Sequence, residues 1–440
     1  MANPLADAVD HPSAPGYRGR QSPVMTLTRL SGRISTSGVL ALVCAATVLA
    51  GTGHADGRDA SAPGTSATHP QQAAARGSVV SVTPVLDLDA KEVEARLKKA
   101  GIDERQVRHG VRAYRIVYRT VDTQGRPTTA SQLVAVPRNG DRHLRVVSWL
   151  HGTEVFRGEV ASVNDESTDR ATALLFASTG LAVSAPDYLG LGEGPGSHPY
   201  GHPKATVTAP VDGLRAARSF VRRDGRDLDR RVLISGFSQG GPATMMLGRA
   251  LQRGTDPYFR LGALAPIAGP FDLTGFEAAA ADDGIARSSL YLAYFATAWN
   301  RMYGLYATPK DAFRAPYDKT VESLFDGNHT GEEIGAALPR TSKELFTADF
   351  LDKIRNPTGE LRRNLRVLDT TCDWRPQVPV HVFHSKADED VPFKNAEHCA
   401  RQLAVNGAAH QLTEVDEATS HSTTVVKALP EVVRDFHAVR

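Results

Sequence analysis

The amino-acid sequence predicts an α/β fold built on a mostly parallel sheet, and three observations carry that prediction. From Arg145 onward, short apolar runs alternate with helix-length segments. The pentapeptide Gly236-Phe237-Ser238-Gln239-Gly240 leaves one of those runs directly, and residues 271–370 interrupt the alternation before it resumes at Val378. Strands separated by helices return to the sheet through crossovers and therefore run parallel. In bulk the chain is an ordinary globular one, with 440 residues, 41% hydrophobic and 23% charged. A formal net charge of +2 with no basic stripe gives no basis for a nucleic-acid partner.

Taken in order, residues 1–55 read as an export signal. Arg29 and Arg33 precede the apolar stretch Gly38 to Ala50, small residues lead to Gly53-His54-Ala55, and Met25 would serve as a start giving a signal of ordinary length. The stretch is short for a membrane span, so the expected destination is extracellular. Residues 56–77, rich in Ala, Gly, Ser, Thr, Pro and Gln, read as a flexible linker. The expected core comprises residues 78–270 and 371–440. Asp89 and Glu92 make a capping box for a short helix with Val93 and Leu97 inward, stopped by Gly101.

A strand over Tyr114 to Val121, the turn signal Gln124-Gly125-Arg126-Pro127 and a strand around Leu133 to Val136 predict an antiparallel hairpin. The alternation then gives strand Val146 to Leu150, helix Thr168 to Ser178, strand Leu181 to Ala185, helix Val207 to Arg222, strand Val232 to Ile234, a helix to Arg253, and a sixth strand, Leu261 to Ala268. A helical insertion, 271–370, follows. It holds 13 of the 29 Phe, Trp and Tyr residues, and from Leu290 to Tyr306 its apolar positions recur every three to four residues. That makes one wide apolar helix face, most of it packing within the insertion and some of it free to roof a cleft and wall an acyl chain. The sheet resumes with strand Val378 to Phe383, helix Phe393 to Val405, strand Gln411 to Val415, and a closing helix from Thr423 that Pro430 interrupts. Cys372 and Cys399 are the cysteines beyond the signal. An even count in an exported chain favours a disulfide, and their placement near one sheet edge is compatible with it; two buried thiols are the alternative.

The pentapeptide has the form of a nucleophile elbow, in which small residues flanking Ser238 let a strand turn sharply into a helix and expose the hydroxyl. A serine hydroxyl needs a base, and the base needs an orienting acid. Parallel sheets collect such groups at the carboxyl ends of their strands. Asp388, three residues before Val391-Pro392, follows the Val378 strand, and His421 follows the last strand in what reads as a loop. Asp390 is a rival acid, and His384, His398 and His410 are rival bases, less well placed. An oxyanion would be met by the backbone N–H of Gln239, directly after Ser238, and by that of Thr153 in the loop His151-Gly152-Thr153.

With these motifs in order, the chain from about Val111 resembles the α/β-hydrolase superfamily, and more narrowly the secretory lipases and esterases with a helical cap. The narrower resemblance rests on His151-Gly152-Thr153, Ala185-Pro186-Asp187-Tyr188-Leu189-Gly190-Leu191-Gly192, the Phe237-Ser238-Gln239-Gly240-Gly241 elbow and the position of the cap. It implies hydrolysis of a small-molecule or lipid ester without a metal or organic cofactor, transient lipid contact through the cap, and structural or cleft-lining places for Asp187 and Tyr188. A prolyl-type peptidase shares the fold and triad order, but no β-rich propeller segment is present. A binding protein on a retired scaffold would ordinarily have lost one of the three residues.

Overall fold

The computed structural model describes residues 75–439. Nine strands form one sheet in the order β1-β2-β3-β5-β4-β6-β7-β8-β9. They are β1 (Val79–Leu88), β2 (Val111–Val121), β3 (Pro127–Pro137), β4 (His143–Leu150), β5 (Ala182–Pro186), β6 (Asp227–Phe237), β7 (Arg260–Ile267), β8 (Val380–His384) and β9 (His410–Glu414). β1, β2, β3 and β5 pair antiparallel. From β5 across to β9 every pairing is parallel.

β1 is a strand the sequence pattern did not reveal. Its residues are half-buried or exposed, and Pro84 lies in it beside a register irregularity. An edge strand tolerates a proline and needs no apolar alternation, so the usual signal is absent. The helical insertion consequently follows the seventh strand, not the sixth.

Helices cover both faces. One face packs against α3 (Pro203–Arg223), α4 (Gly240–Gln252) and α13 (Lys394–Val405) through Leu214, Met245 and Leu403. The other packs against α1 (Ala90–Lys99), α2 (Thr168–Ser178) and α14 (His421–Ala438) through Leu97, Leu175 and Leu429. The α1 capping box forms as expected: Asp89 accepts from the Glu92 N–H at 2.9 Å, and Glu92 accepts from the Asp89 N–H at 2.7 Å.

α14 differs from expectation at two points. His421 is its first residue, capped by Ser420, instead of a loop residue. The helix also runs through Pro430, because Val425, Leu429, Val432 and Phe436 bury one face against the sheet and outweigh the backbone bond lost at the proline.

Between β7 and β8 lie α5 (Leu273–Ala281), α6 (Ser288–Tyr303), α7 (Pro309–Ala312), α8 (Val321–Leu324), α9 (Gly331–Ala337), α10 (Ser342–Leu345), α11 (Ala348–Arg355) and α12 (Gly359–Asp369). They share a third core around Phe295, Trp299, Phe313 and Phe346. The Cys372–Cys399 disulfide joins the end of this insertion to α13.

Candidate active site

β6 and α4 approach each other at Ser238, whose φ is +53°. A left-handed conformation costs a serine on the order of 1–2 kcal/mol. Two backbone bonds hold it there: the Ser238 N–H donates to the Ile267 carbonyl at 3.0 Å, and the Gly241 N–H donates to the Ser238 carbonyl at 2.8 Å. A methyl at Gly240 would collide with the Leu150 carbonyl, and one at Gly236 with the Gly240 carbonyl. The two glycines are thus required by close backbone approach.

At the end of β8 the chain turns around Asp388. Its Oδ1 accepts from the N–H groups of Asp390 and Val391 at 3.0 and 2.8 Å. Its Oδ2 lies 2.7 Å from Nδ1 of His421 and 3.3 Å from Nε2 of His384, which is also 2.8 Å from the Val391 carbonyl. Burial acts to raise the Asp388 pKa, but the hydrogen bonds from His384 and His421 and from the Val391 N–H outweigh it and hold the carboxyl at about 2. An ionised carboxylate can only accept, so the His421 proton resides on Nδ1 and Nε2 carries the free lone pair. That Nε2 is buried and has no hydrogen-bond partner among the described residues.

Ser238 belongs to the same cluster. The Phe237 ring packs on the His421 ring with centroids 4.5 Å apart. A methyl built on Gly152 would stand 3.6 Å from the Ser238 Cβ, so the loop carrying Thr153 passes directly beside the elbow. Gln239 caps α4 immediately after the serine. All five residues singled out from the sequence therefore lie around one spot.

The rival groups have other partners. Asp390 pairs with Arg287 and accepts from the Tyr291 hydroxyl at 3.2 Å, which ties the acid loop to α6. His398 and His410 bond to the backbone carbonyls of Asp369 and Ala408.

A buried polar layer supports the cluster. The ring nitrogens of His151 lie 2.7 Å from the Gly152 carbonyl and 3.1 Å from the Asp187 carbonyl. Asp187 accepts from the hydroxyls of Ser131 at 2.6 Å and Ser162 at 2.5 Å. Tyr188, with φ +66°, packs on His151 with ring centroids 4.2 Å apart and the rings tilted by 35°.

Three further residues have places that sequence reasoning did not assign. His384, a rival base by its position in the sequence, instead braces Asp388. The Tyr200 hydroxyl lies 3.1 Å from Oγ1 of Thr153. Burial lowers the pKa of His198 to about 3, so it is neutral, and its Nδ1–H donates to the Leu189 carbonyl at 2.9 Å. Its Nε2 accepts from the Gln239 amide at 3.0 Å. His198 and Tyr200 lie in the stretch Gly194-Pro195-Gly196-Ser197-His198-Pro199-Tyr200, where turn residues gave no sign of a site.

No family model matches the chain. Among curated proteins it is similar to a secreted triacylglycerol lipase of Malassezia furfur, 23% identical over 346 residues, 74% of this chain and 67% of that one. A second lipase of that organism is 24% identical over 71% of this chain, which spans 60% of its length. Among solved structures, a ligand-bound form of LipA, the rice cell wall degrading esterase of Xanthomonas oryzae, superposes with a TM-score of 0.73 at 26% identity, covering 83% of this chain and 98% of that one. The chain is an α/β-hydrolase similar to lipases and esterases. Candida antarctica lipase A shares its fold, with a TM-score of 0.58 at 14% identity over 79% of this chain and 78% of that one. Among the described residues of this hydrolase, no helix is long and apolar enough to cross a membrane.

Proposed function

We propose that this chain is a secreted serine ester hydrolase working through Ser238, His421 and Asp388. The observation that carries this reading is the His421–Asp388 hydrogen bond of 2.7 Å, which leaves His421 Nε2 buried and without a partner beside the Ser238 elbow. Nε2 takes the Ser238 proton as Oγ attacks the ester carbonyl, and the backbone N–H groups of Thr153 and Gln239 meet the oxyanion. The protonated His421 then gives its proton to the departing alcohol. An acyl-enzyme remains, and water activated by the same Nε2 releases the acid. Residues 1–55, the export signal of this reading, lie outside the described residues, as does nearly all of the 56–77 linker. The catalytic core is 78–270 with 371–440, capped by 271–370, and no metal or organic cofactor takes part.

The relatives named as lipases act on triacylglycerol, and contact of this cap with a lipid surface would extend the parallel. Yet Val367, 50% exposed, is the insertion's exposed large apolar side chain among the described residues. A single exposed valine offers little to an emulsion surface, which favours short, dissolved esters.

The test uses the chain lacking residues 1–55 and its Ser238→Ala variant, with a fluorophosphonate probe and p-nitrophenyl esters of graded length. Labelling and turnover by the unmutated protein alone, falling off with chain length, is the expected result. Absence of both in the unmutated protein defeats the proposal, and cleavage of prolyl peptide amides without ester turnover transfers it to the peptidases.

A further inference from the structure

Next to the elbow is a narrow cavity of about 40 Å³, lined by Tyr200, Gln239, Met246, Leu273, Phe295 and Trp299. Its wall is mostly apolar, with Thr206 and Gln239 among the lining residues, and two buried polar groups at or near it lack partners. The first is Gln239 Oε1. Because His198 accepts from the other end of the amide, Oε1 must face away from His198, and it is buried without a donor. The second is Glu277, one helical turn after Leu273 on α5 and so on the same helix face. Glu277 is 1% exposed, and both of its carboxyl oxygens lack any hydrogen-bond partner among the described residues. Glu277 is near enough to Tyr200 that, if ionised, it would hold the phenol proton more tightly, and the Tyr200 hydroxyl lies 3.1 Å from Oγ1 of Thr153. Glu277 therefore lies near Tyr200, one of the residues that line the cavity.

Buried carboxyl groups are ordinarily paired, and an orphaned one costs stability that a plain leucine would not. Burial pushes the Glu277 carboxyl well up, toward the neutral form, which can both donate and accept.

Resting on the ester-hydrolase reading, we propose that Glu277 and Gln239 Oε1 recognise a hydroxyl group of the substrate, so that the preferred ester is a short hydroxylated one. A hydroxyl donates one hydrogen bond and accepts others, which matches a neutral carboxyl beside an amide oxygen. An ammonium group fits less well, because stripping its water in an apolar cavity costs more than neutral acceptors return. The cavity has room for roughly three water-sized groups, which places the hydroxyl within a few atoms of the ester. The hydroxyl belongs to either the acyl or the alcohol part.

The test compares kcat/KM for methyl 3-hydroxybutanoate against methyl butanoate, and for 2-hydroxyethyl butanoate against propyl butanoate. Both pairs are run on the unmutated chain, Glu277→Leu and Glu277→Gln. A preference of roughly tenfold for the hydroxylated member of at least one pair is expected, lost in Glu277→Leu and partly kept in Glu277→Gln. Turnover of plain butanoates should persist in both variants, which separates lost recognition from lost folding. Equal rates within both pairs, or a preference untouched by Glu277→Leu, overturn the proposal while leaving the hydrolase standing. A failure of the unmutated chain to hydrolyse any ester or to take up fluorophosphonate overturns the hydrolase reading itself.

Discussion

Replacing Asp388 with asparagine changes one atom of the site and reverses the proton placement on His421. In the native site Oδ2 faces His421 Nδ1 at 2.7 Å, while Oδ1 accepts from the Asp390 and Val391 N–H groups at 3.0 and 2.8 Å. In Asp388→Asn the two N–H groups still require an oxygen, so the new amide NH₂ is turned toward His421. Two donors cannot share that contact, so the ring shifts its proton to Nε2 and loses the lone pair that would accept from Ser238. The native environment lowers the Asp388 pKa from 3.8 to about 2. Roughly two pKa units correspond to ~2.5 kcal/mol of preference for the ionised form, which the variant forfeits. The wrong tautomer adds to that loss, and other triads lose on the order of 10⁴ in kcat for this change, about 5.5 kcal/mol. The assay is kcat and KM for p-nitrophenyl butanoate together with the fluorophosphonate labelling rate, with Asp390→Asn as the comparison. Asp388→Asn should depress kcat and labelling with little change in KM. Asp390→Asn, whose native partners are Arg287 and Tyr291, should leave kcat nearly unchanged. A kcat for Asp388→Asn within tenfold of the unmutated protein, or a larger loss in Asp390→Asn, would refute the assignment of the acid.

Three further expectations concern folding. The His198 pKa falls from 6.5 to about 3 on folding, so its share of stability is complete above pH 6.5 and is lost as pH drops toward 3. Urea midpoints should reveal roughly 3 kcal/mol of loss between pH 6.5 and 4 that His198→Gln removes, and equal slopes in both proteins would contradict this. Replacing both Cys372 and Cys399 with alanine opens a loop with a sequence separation of 27, which should lower stability by about 3.5 kcal/mol in denaturant titration. Gly240→Ala drives a methyl into the Leu150 carbonyl; it should cost more than about 3 kcal/mol and abolish labelling at Ser238, and a stable, fully labelled variant would show that the elbow tolerates a side chain.

Much of the scaffold was legible because its signals are local. Capping at Asp89, the alternation from Val146 to Ile267 and the glycines around Ser238 each express a constraint satisfied within a few residues. β1 was not legible, since a half-exposed edge strand has little to bury. His421 read as loop because Ser420 and Thr423, which cap α14, also suit a turn. Asp390 and His384 stayed as rivals on sequence grounds, because nothing local distinguishes an aspartate facing a histidine from one facing Arg287.

The sequence by itself determined the α/β class, the strained serine turn and the chain order Ser238, Asp388, His421. Those follow from backbone conformational preference and apolar periodicity, which act over short stretches of chain. Only the tertiary structure decided which of two aspartates meets His421, that His384 braces the acid, and that Glu277 and Gln239 leave buried oxygens unmatched. Each of those depends on which groups the fold brings together, from His384 and Asp388 four residues apart to Asp388 and His421 thirty-three apart, and on how much water is excluded when they meet.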